Sequence, residues 1–518
     1  MSNIRISYSF HSISLIALTL VCTTFFGCDD DSSEPVVTAA TIEANPDNAL
    51  SATIEVRTDV PTKLEVEVVG EGHSSWQIPL SAQLATSHSI PVLGLRSETK
   101  YNFVITATDR GGNTVEDESL TVTSAALPAD FPAITASLAM PLQVAAGFTI
   151  FSVIRIDPKA GPLLNSDWGM MIAVDAEGHV VWYQNKPGGG DLSQLDNGNF
   201  LYMNGHSQII EMDAMGNTVN TITAADVGID GFHHEIIALP SGNFLTLSTD
   251  LRTISGYKDE AGDPVLSYQV VGDVIVEFSA SGEIVHQVNM FDVLDPLRII
   301  EPDFHFNFYD GLYGVTGSKD WTHGNAVVMH PDGDAYVISL RHQDWLVKVD
   351  RETGQLVWRL GVDGDFAMPG GNTDFAYHHH APEFQQDGSL LLYDNGNGRP
   401  VEAGQEPYSR VVHYELDEEN MVLTRVWQYR GSEDFFTPTV GDADRLANGN
   451  VLVTQGSLTD DPTQVISAGT HGRIVEVTDD ASPATVFEVE INDPPGATQD
   501  YGYMVYRAER IESLYPNL

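Results

Sequence analysis

The sequence predicts an all-β chain, a six-bladed β-propeller preceded by a small fibronectin III/Ig-like β-sandwich, and three observations carry that prediction. Five segments share a Gly-centred turn followed by an apolar strand: LDNGNFLYMN at 195–204, LPSGNFLTLS at 239–248, HPDGDAYVIS at 330–339, QQDGSLLLYD at 385–394 and LANGNVLVTQ at 446–455. A second pattern alternates with the first six times, starting at positions 174, 212, 278, 349, 416 and 477, as in VDAEGHVVWY and VDRETGQLVWRL. Helical periodicity is nearly absent. Irregular repeat spacing of roughly 40 to 70 residues suits propeller blades that carry loops of different length.

From the N-terminus, residues 1–28 read as an address rather than a domain. Arg5 supplies a weak positive start, Ile13 to Phe26 an apolar run, and Phe25-Phe26-Gly27-Cys28 resembles a bacterial lipobox with Phe where Leu is common. Cys28 is therefore the expected lipidation site, and the polar run CDDDSSEP opens a flexible tether over 29–36. The expectation is an exported lipoprotein, anchored to the membrane at the periplasmic or outer-membrane/cell surface. Cys22, the only other cysteine, lies in the signal, so the mature chain is expected to hold no disulfide.

Residues 37–125 alternate apolar and polar positions in ATIEVRT and KLEVEVV, and SETKYNFVITATDRGGNTVED looks like the late strands of a fibronectin type III domain. Such domains usually space or dimerise rather than catalyse, so a homodimer is among the expected states. The Pro-containing stretch 126–141 is either a linker or the propeller's closing strand. The propeller itself is expected over 131–510. Trp182, Trp358 and Trp427 end copies of the second pattern and read as blade-packing aromatics.

With 25 basic against 73 acidic residues, a formal charge of −48 is spread along the chain. That excludes duplex nucleic acid and anionic head groups as natural partners, because their fields and this one repel. It also makes a basic residue near a pocket informative, since an anion binding here needs a local positive site. Arg341 is the leading candidate.

The candidate site rests on three histidine clusters, His233-His234-Glu235, Trp321-Thr322-His323-Gly324-Asn325 and His378-His379-His380-Ala381. Each lies about ten residues upstream of a turn glycine. When repeats close into a ring, equivalent positions converge on the axis, so these clusters are expected to share one pocket. A hairpin should return Arg341 to the mouth where His323 emerges, with Asn325 two residues along the same strand. An imidazole, a carboxamide and a guanidinium from one blade suit a tetrahedral or trigonal oxyanion such as sulfuryl or phosphoryl. Two other readings stand beside this one. Imidazoles from several blades could hold copper or zinc, although a neighbouring guanidinium repels a cation. A non-catalytic, surface-anchored propeller binding glycans or proteins is the other. The run Asp394-Asn395-Gly396-Asn397-Gly398 fails the EF-hand pattern and reads as a plain turn. His305 and His342 read as surface or supporting residues.

At these residues the chain resembles the bacterial arylsulfate sulfotransferases. The matching elements are H-H-E before L-P-S-G-N, D-W-T-H-G-N at 320–325, S-L-R at 339–341, and H-x-A followed by Y-D-N-G-N-G-R up to 399. The resemblance implies a nucleotide-independent transfer of a sulfuryl group from an aryl sulfate donor to a phenolic acceptor, through a sulfohistidine and in ping-pong fashion. It implies no cofactor and no metal. His379, two residues before Ala381, matches the nucleophile, flanked by His380 and by His378, a candidate substrate-binding residue, both expected to point to the other strand face; His323, Asn325 and Arg341 match the group that binds the sulfuryl oxygens. In the first cluster, counting back from Gly242 and Gly388 equates His233 with His379, whereas the following acidic residue favours His234, and both remain candidates. A neutral imidazole is nucleophilic near pH 7, and its labile adduct splits one transfer into two easier steps.

Overall fold

The computed structural model describes residues 34–516 apart from 158–167, 187–189, 259–262, 264–266, 302–304, 306, 460–465, 467–468, 495 and 498–500. Cys28 and the signal segment lie outside the described residues. Among the described residues, no helix is long and apolar enough to cross a membrane.

Residues 37–123 form a seven-stranded sandwich organised by one long strand, Ala52–Gly70. Its first half pairs with Val37–Ala44 and Ala85–Val92, and its second half with Lys100–Asp109 and Trp76–Gln77. The register shifts between Arg57 and Thr62, around Val60-Pro61, where proline cannot donate to a ladder and the strand changes partners. Alternate residues Ile54, Val56, Leu64, Val66 and Val68 are buried, the period-2 pattern of a half-buried strand. The sandwich docks on the first blade: Asn48 Nδ2 donates to Tyr183 O at 2.6 Å, and the Arg96 guanidinium meets Asp175. Tyr515, near the C-terminus, accepts at its hydroxyl from Leu93 N at 2.8 Å.

Six blades follow, each built on four antiparallel strands; blades 2 to 6 carry a copy of both sequence patterns and blade 1 a copy of the second alone. From inner to outer strand, blade 2 is Leu192–Gln194, Phe200–Asn204, Gln208–Met212 and Thr218–Thr223, and blade 3 is His233–Ala238, Asn243–Ile254, Tyr268–Ser279 and Ile284–Asn289. Blade 4 is Gly324–Met329, Ala335–Leu340, Trp345–Asp350 and Leu356–Gly361, and blade 5 is His380–Phe384, Leu390–Asp394, Arg410–Asp417 and Val422–Tyr429. Blade 6 is Asp442–Arg445, Val451–Leu458, His471–Val477 and Thr485–Asn492.

The ring closes twice over. Gly502–Ile511, from the end of the chain, is the inner strand of blade 1 and pairs with Phe148–Ile156. Ala133–Leu138, from its beginning, adds a fifth, outer strand to blade 6. The stretch 126–141 thus contains a closing strand. Closure covers edges that would otherwise pair with other chains. The turn glycines of the first repeat pattern have φ between 76° and 90°, the left-handed region the hairpin turns demand. Trp182 and Trp358 are fully buried between blades.

Candidate active site

All six inner strands begin at one end of the ring, and in four of them the ladder breaks there. In blade 3, His233 pairs with Leu247 but Ile236 already pairs with Thr246; in blade 5, His380 pairs with Tyr393 but Glu383 with Leu391. Blade 4 shifts between Gly324 and Ala326, and the closing strand between Val505 and Ala508. Such bulges bend the strand and re-aim its side chains. His234, His323, His378 and Ala381 all have positive φ, 46° to 60°. Each costs on the order of 1–3 kcal/mol for a non-glycine residue, a strain that concentrates at functional sites.

The bulges bring together His234, His323 and His380, with Arg341 following blade 4's second strand and Tyr506-Arg507 on the closing strand. The His234 and His323 rings sit 5.0 Å apart, edge to face, and His342 stacks on His323 at 4.6 Å. His234 is half-buried and its carbonyl accepts from the Tyr506 hydroxyl at 3.0 Å. Burial is the largest cause holding His234 and His380 well below the ordinary imidazole range. Neighbouring charges add to it: His323 and His233 on His234, Arg341 on His380. Both are therefore neutral near pH 7.

Each of these three imidazoles is gripped through Nδ1. His323 Nδ1 donates to Asp320 Oδ2 at 2.6 Å, and His380 Nδ1 lies 2.6 Å from Asn395 Oδ1. His233 Nε2 faces the Ser248 carbonyl at 3.1 Å and Asp273 at 3.3 Å, so it carries the proton there. Its Nδ1 then accepts from His234 Nδ1 at 2.8 Å. With Nδ1 occupied, the nucleophilic lone pair of a neutral ring is on Nε2.

Arg341 is 5% exposed, yet its guanidinium makes one hydrogen bond to protein, Nη2 to Pro438 O at 3.0 Å, and Nε is buried without a partner. Among the described residues no carboxylate forms an ion pair with it. Burial pulls its pKa down to about 10, against the attraction of Glu301, Asp344 and Asp320. It remains charged at neutral pH, with donors unspent beside three imidazoles. Buried charge without a partner is expensive, and an anion in the pocket would relieve it.

Several sequence expectations are corrected by these positions. His379 does not join the axial group: its Nδ1 is 2.8 Å from Ser339 Oγ, its Nε2 is buried without a partner, and burial lowers its pKa to about 4. The ladder shows why counting from glycine misses by one. His233 and His380 pair with the residues five after Gly242 and Gly388, so His380, not His379, is the equivalent of His233. His233 supports His234 from behind.

Asn325 is fully buried, and its carboxamide donates to His379 O at 2.7 Å, tying blade 4 to blade 5 instead of facing an oxyanion. His378 is held between Asp344 at 3.0 Å and Glu301 at 3.3 Å. Burial opposes its protonation, but these two partners raise its pKa. His342, expected at the surface or in support, is fully buried against His323. The 394–398 run is structural: Asp394 pairs with Arg399 and Arg410, and Asn395 serves His380.

Sequence reasoning missed Tyr506 and Arg507, because the closing strand lacks both repeat patterns. Arg507 bridges Glu235 at 2.6 Å and Asp191 at 3.3 Å and donates to Asn325 O at 3.2 Å. Further along the inner strands come Glu383, Asp442, Asp444 and Glu509. Burial, then mutual repulsion, raises the pKa of Asp444 and Glu509; burial also raises Asp442 and Glu383. Glu235 is likewise pushed up by burial, but its 2.6 Å contact with Arg507 marks it as the member that keeps its charge. The protons of this cluster belong to Asp444 and Glu509, which form no ion pair among the described residues.

Asp320, His323 and His342 place three ligand atoms within 4.8 Å of one another, the geometric counterpart of the metal reading. Burial and the charges of His323 and Arg341 hold His342 well below its ordinary pKa, and the same positive field opposes a bound cation.

Fold and site together define a six-bladed propeller with neutral imidazoles and a buried guanidinium at its axis. The arylsulfotransferase (ASST) family model matches residues 143–503, and an arylsulfotransferase Ig-like domain model matches 40–125. The chain belongs to the arylsulfotransferase family. It is 24% identical over 526 residues to the arylsulfate sulfotransferase AssT of Lelliottia amnigena, covering 82% of this chain and 86% of that one. It is 27% identical over 276 residues to the arylsulfate sulfotransferase AssT of Escherichia coli O6:H1 (strain CFT073), a match spanning 42% of this chain and 44% of the relative.

Proposed function

We propose that the protein transfers a sulfuryl group from an aryl sulfate to a phenolic acceptor in two steps, through a sulfohistidine on His380. The observation that carries this reading is Arg341, a buried guanidinium with unspent donors next to neutral imidazoles. In the first step His380 Nε2 attacks sulfur, the N–S bond forms as the S–O(aryl) bond breaks, and the phenolate leaves. In the second the acceptor oxygen attacks sulfur, the N–S bond breaks, and the phenolic proton must go to a base. His323, backed by the Asp320 carboxylate, suits that role and would return the proton to the leaving phenolate. Arg341 would bind the sulfuryl oxygens, whose charge is spread in a loose transition state that rewards fixed donors.

Intact-mass measurement after mixing with 4-nitrophenyl sulfate alone tests this. A gain of one sulfuryl group, kept in His379→Ala and lost in His380→Ala, is expected; the reverse pattern would return the nucleophile to His379. Stoichiometric copper or zinc in purified protein would favour the metal reading instead.

We also propose that Cys28 is acylated and tethers the enzyme to the membrane of the compartment to which it is exported. A Cys28→Ala variant released to the soluble fraction is the expected result.

A further inference from the structure

We propose that Asn395 is a positioning residue that fixes which nitrogen of His380 bears the proton, and so aims the Nε2 lone pair at the axis. The inference rests on His380 being the sulfuryl carrier. Asn395 is fully buried, and its amide nitrogen donates to two backbone carbonyls, Thr437 O at 2.7 Å and Val440 O at 2.8 Å. Carbonyl oxygens only accept, so the amide cannot be flipped, and Oδ1 is the atom that faces His380 Nδ1 at 2.6 Å. An oxygen there requires a proton on Nδ1. In a neutral imidazole the lone pair is then on Nε2, which among the described residues makes no hydrogen bond to protein.

The acceptor's charge matters as much as its position. His323, in the same pocket, donates to the carboxylate of Asp320, an acid–base partner; His380 donates to an amide, which cannot take up its proton. One imidazole is thereby suited to carry a proton and the other to attack sulfur. The amide also holds the loop that receives Arg341: Pro438, whose carbonyl accepts from that guanidinium, lies between the two carbonyls Asn395 grips. A single side chain thus registers the nucleophile against the anion-binding arginine.

The test starts on the unaltered protein. Histidine 15N-labelling with long-range 1H–15N correlation at pH 7, the His380 signals assigned by their loss in His380→Gln, should show a neutral ring protonated at Nδ1. A proton on Nε2, or an imidazolium, overturns the proposal without any variant having to fold. Asn395→Ala should slow sulfuryl-enzyme formation by about 10- to 100-fold, the scale of lost supporting contacts, with the KM for 4-nitrophenyl sulfate within about twofold. An unchanged rate in folded Asn395→Ala also overturns it.

Asn395→Asp supplies the readout a purely structural residue would not move. His380 is faced by Arg341, by His323 and His234 from blades 4 and 3, and by Arg507 from the closing strand. A carboxylate at 395 adds the one negative partner in direct contact, so the acid limb of the rate should shift to higher pH; an unmoved limb counts against the proposal. If His380→Gln is still labelled by donor, the carrier assignment fails and not the tautomer argument, which the NMR result decides by itself.

Discussion

The leading ends of the inner strands and the stretches that follow them surround one axis, yet they solve opposite electrostatic problems. At the leading ends, Arg341 leaves positive charge and donors unspent beside the neutral imidazoles of His234 and His380. A few residues along, Asp191, Glu235, Asp442, Asp444 and Glu509 crowd around one cation, Arg507. The first region holds a buried guanidinium without a carboxylate partner among the described residues; the second already has more carboxyls than it can ionise and keeps protons instead. A chain of net charge −48 can therefore receive an anion only where the backbone is bulged to expose imidazoles in place of carboxylates.

The comparison predicts that losses at the two ends differ in kind. The largest effect is expected for His380→Ala, which should lower turnover of 4-nitrophenyl sulfate with phenol by at least about 10³-fold while leaving the melting temperature nearly unchanged, since a nucleophile has no substitute. His379→Ala should instead cost stability through the lost Ser339 contact while the sulfuryl-enzyme still forms. Arg507→Met comes next and acts on the other end. It strands Glu235 and Asp191 without their cation, for which breaking a buried pair suggests about 3–5 kcal/mol of unfolding free energy by denaturant titration. Arg341→Lys follows, with about 3 kcal/mol of barrier, roughly a 10²-fold loss in kcat, since a point charge cannot reproduce the fork of donors. If Arg341→Lys unfolds the protein and Arg507→Met only slows it, the division of labour is wrong.

Most of this architecture was written in visible features. The turn glycines fixed the hairpins, the two alternating patterns fixed the blade count, and His323 with Arg341 fell at one mouth because a hairpin of that length returns the chain; Arg341 N indeed bonds His323 O at 3.1 Å. What failed was direction at single-residue resolution. His378, His379 and His380 are chemically alike, and which one faces the axis depends on the bulge between His380 and Glu383, a register event that leaves no mark in residue type. The direction of Asn325 was hidden for the same reason, since the register shift between Gly324 and Ala326 turns its carboxamide toward the His379 carbonyl of the next blade. Tyr506-Arg507 was invisible because ring closure brings in a strand from outside the repeat.

The smallest effect is the most direct probe of the acidic stretch. Asp444 and Glu509 have folded pKa values raised above their unfolded ones, so between the two values the native state binds more protons than the unfolded chain. Stability from that source is present at acid pH, falls as pH rises through the window, and is gone above the folded pKa, by about 1.4 kcal/mol per unit of elevation. Asp444→Asn and Glu509→Gln remove the titration while keeping shape. They should raise the melting temperature at pH 8–9 and leave it within about a degree of the parent at pH 4.5, where the parent carboxyls are already protonated. Equal gains at both pH values would mean the substitutions improve packing rather than relieve charge. A loss at pH 8–9 would mean that these carboxylates are ionised partners of Arg507, and that the two regions around the axis are less unlike than their charges imply.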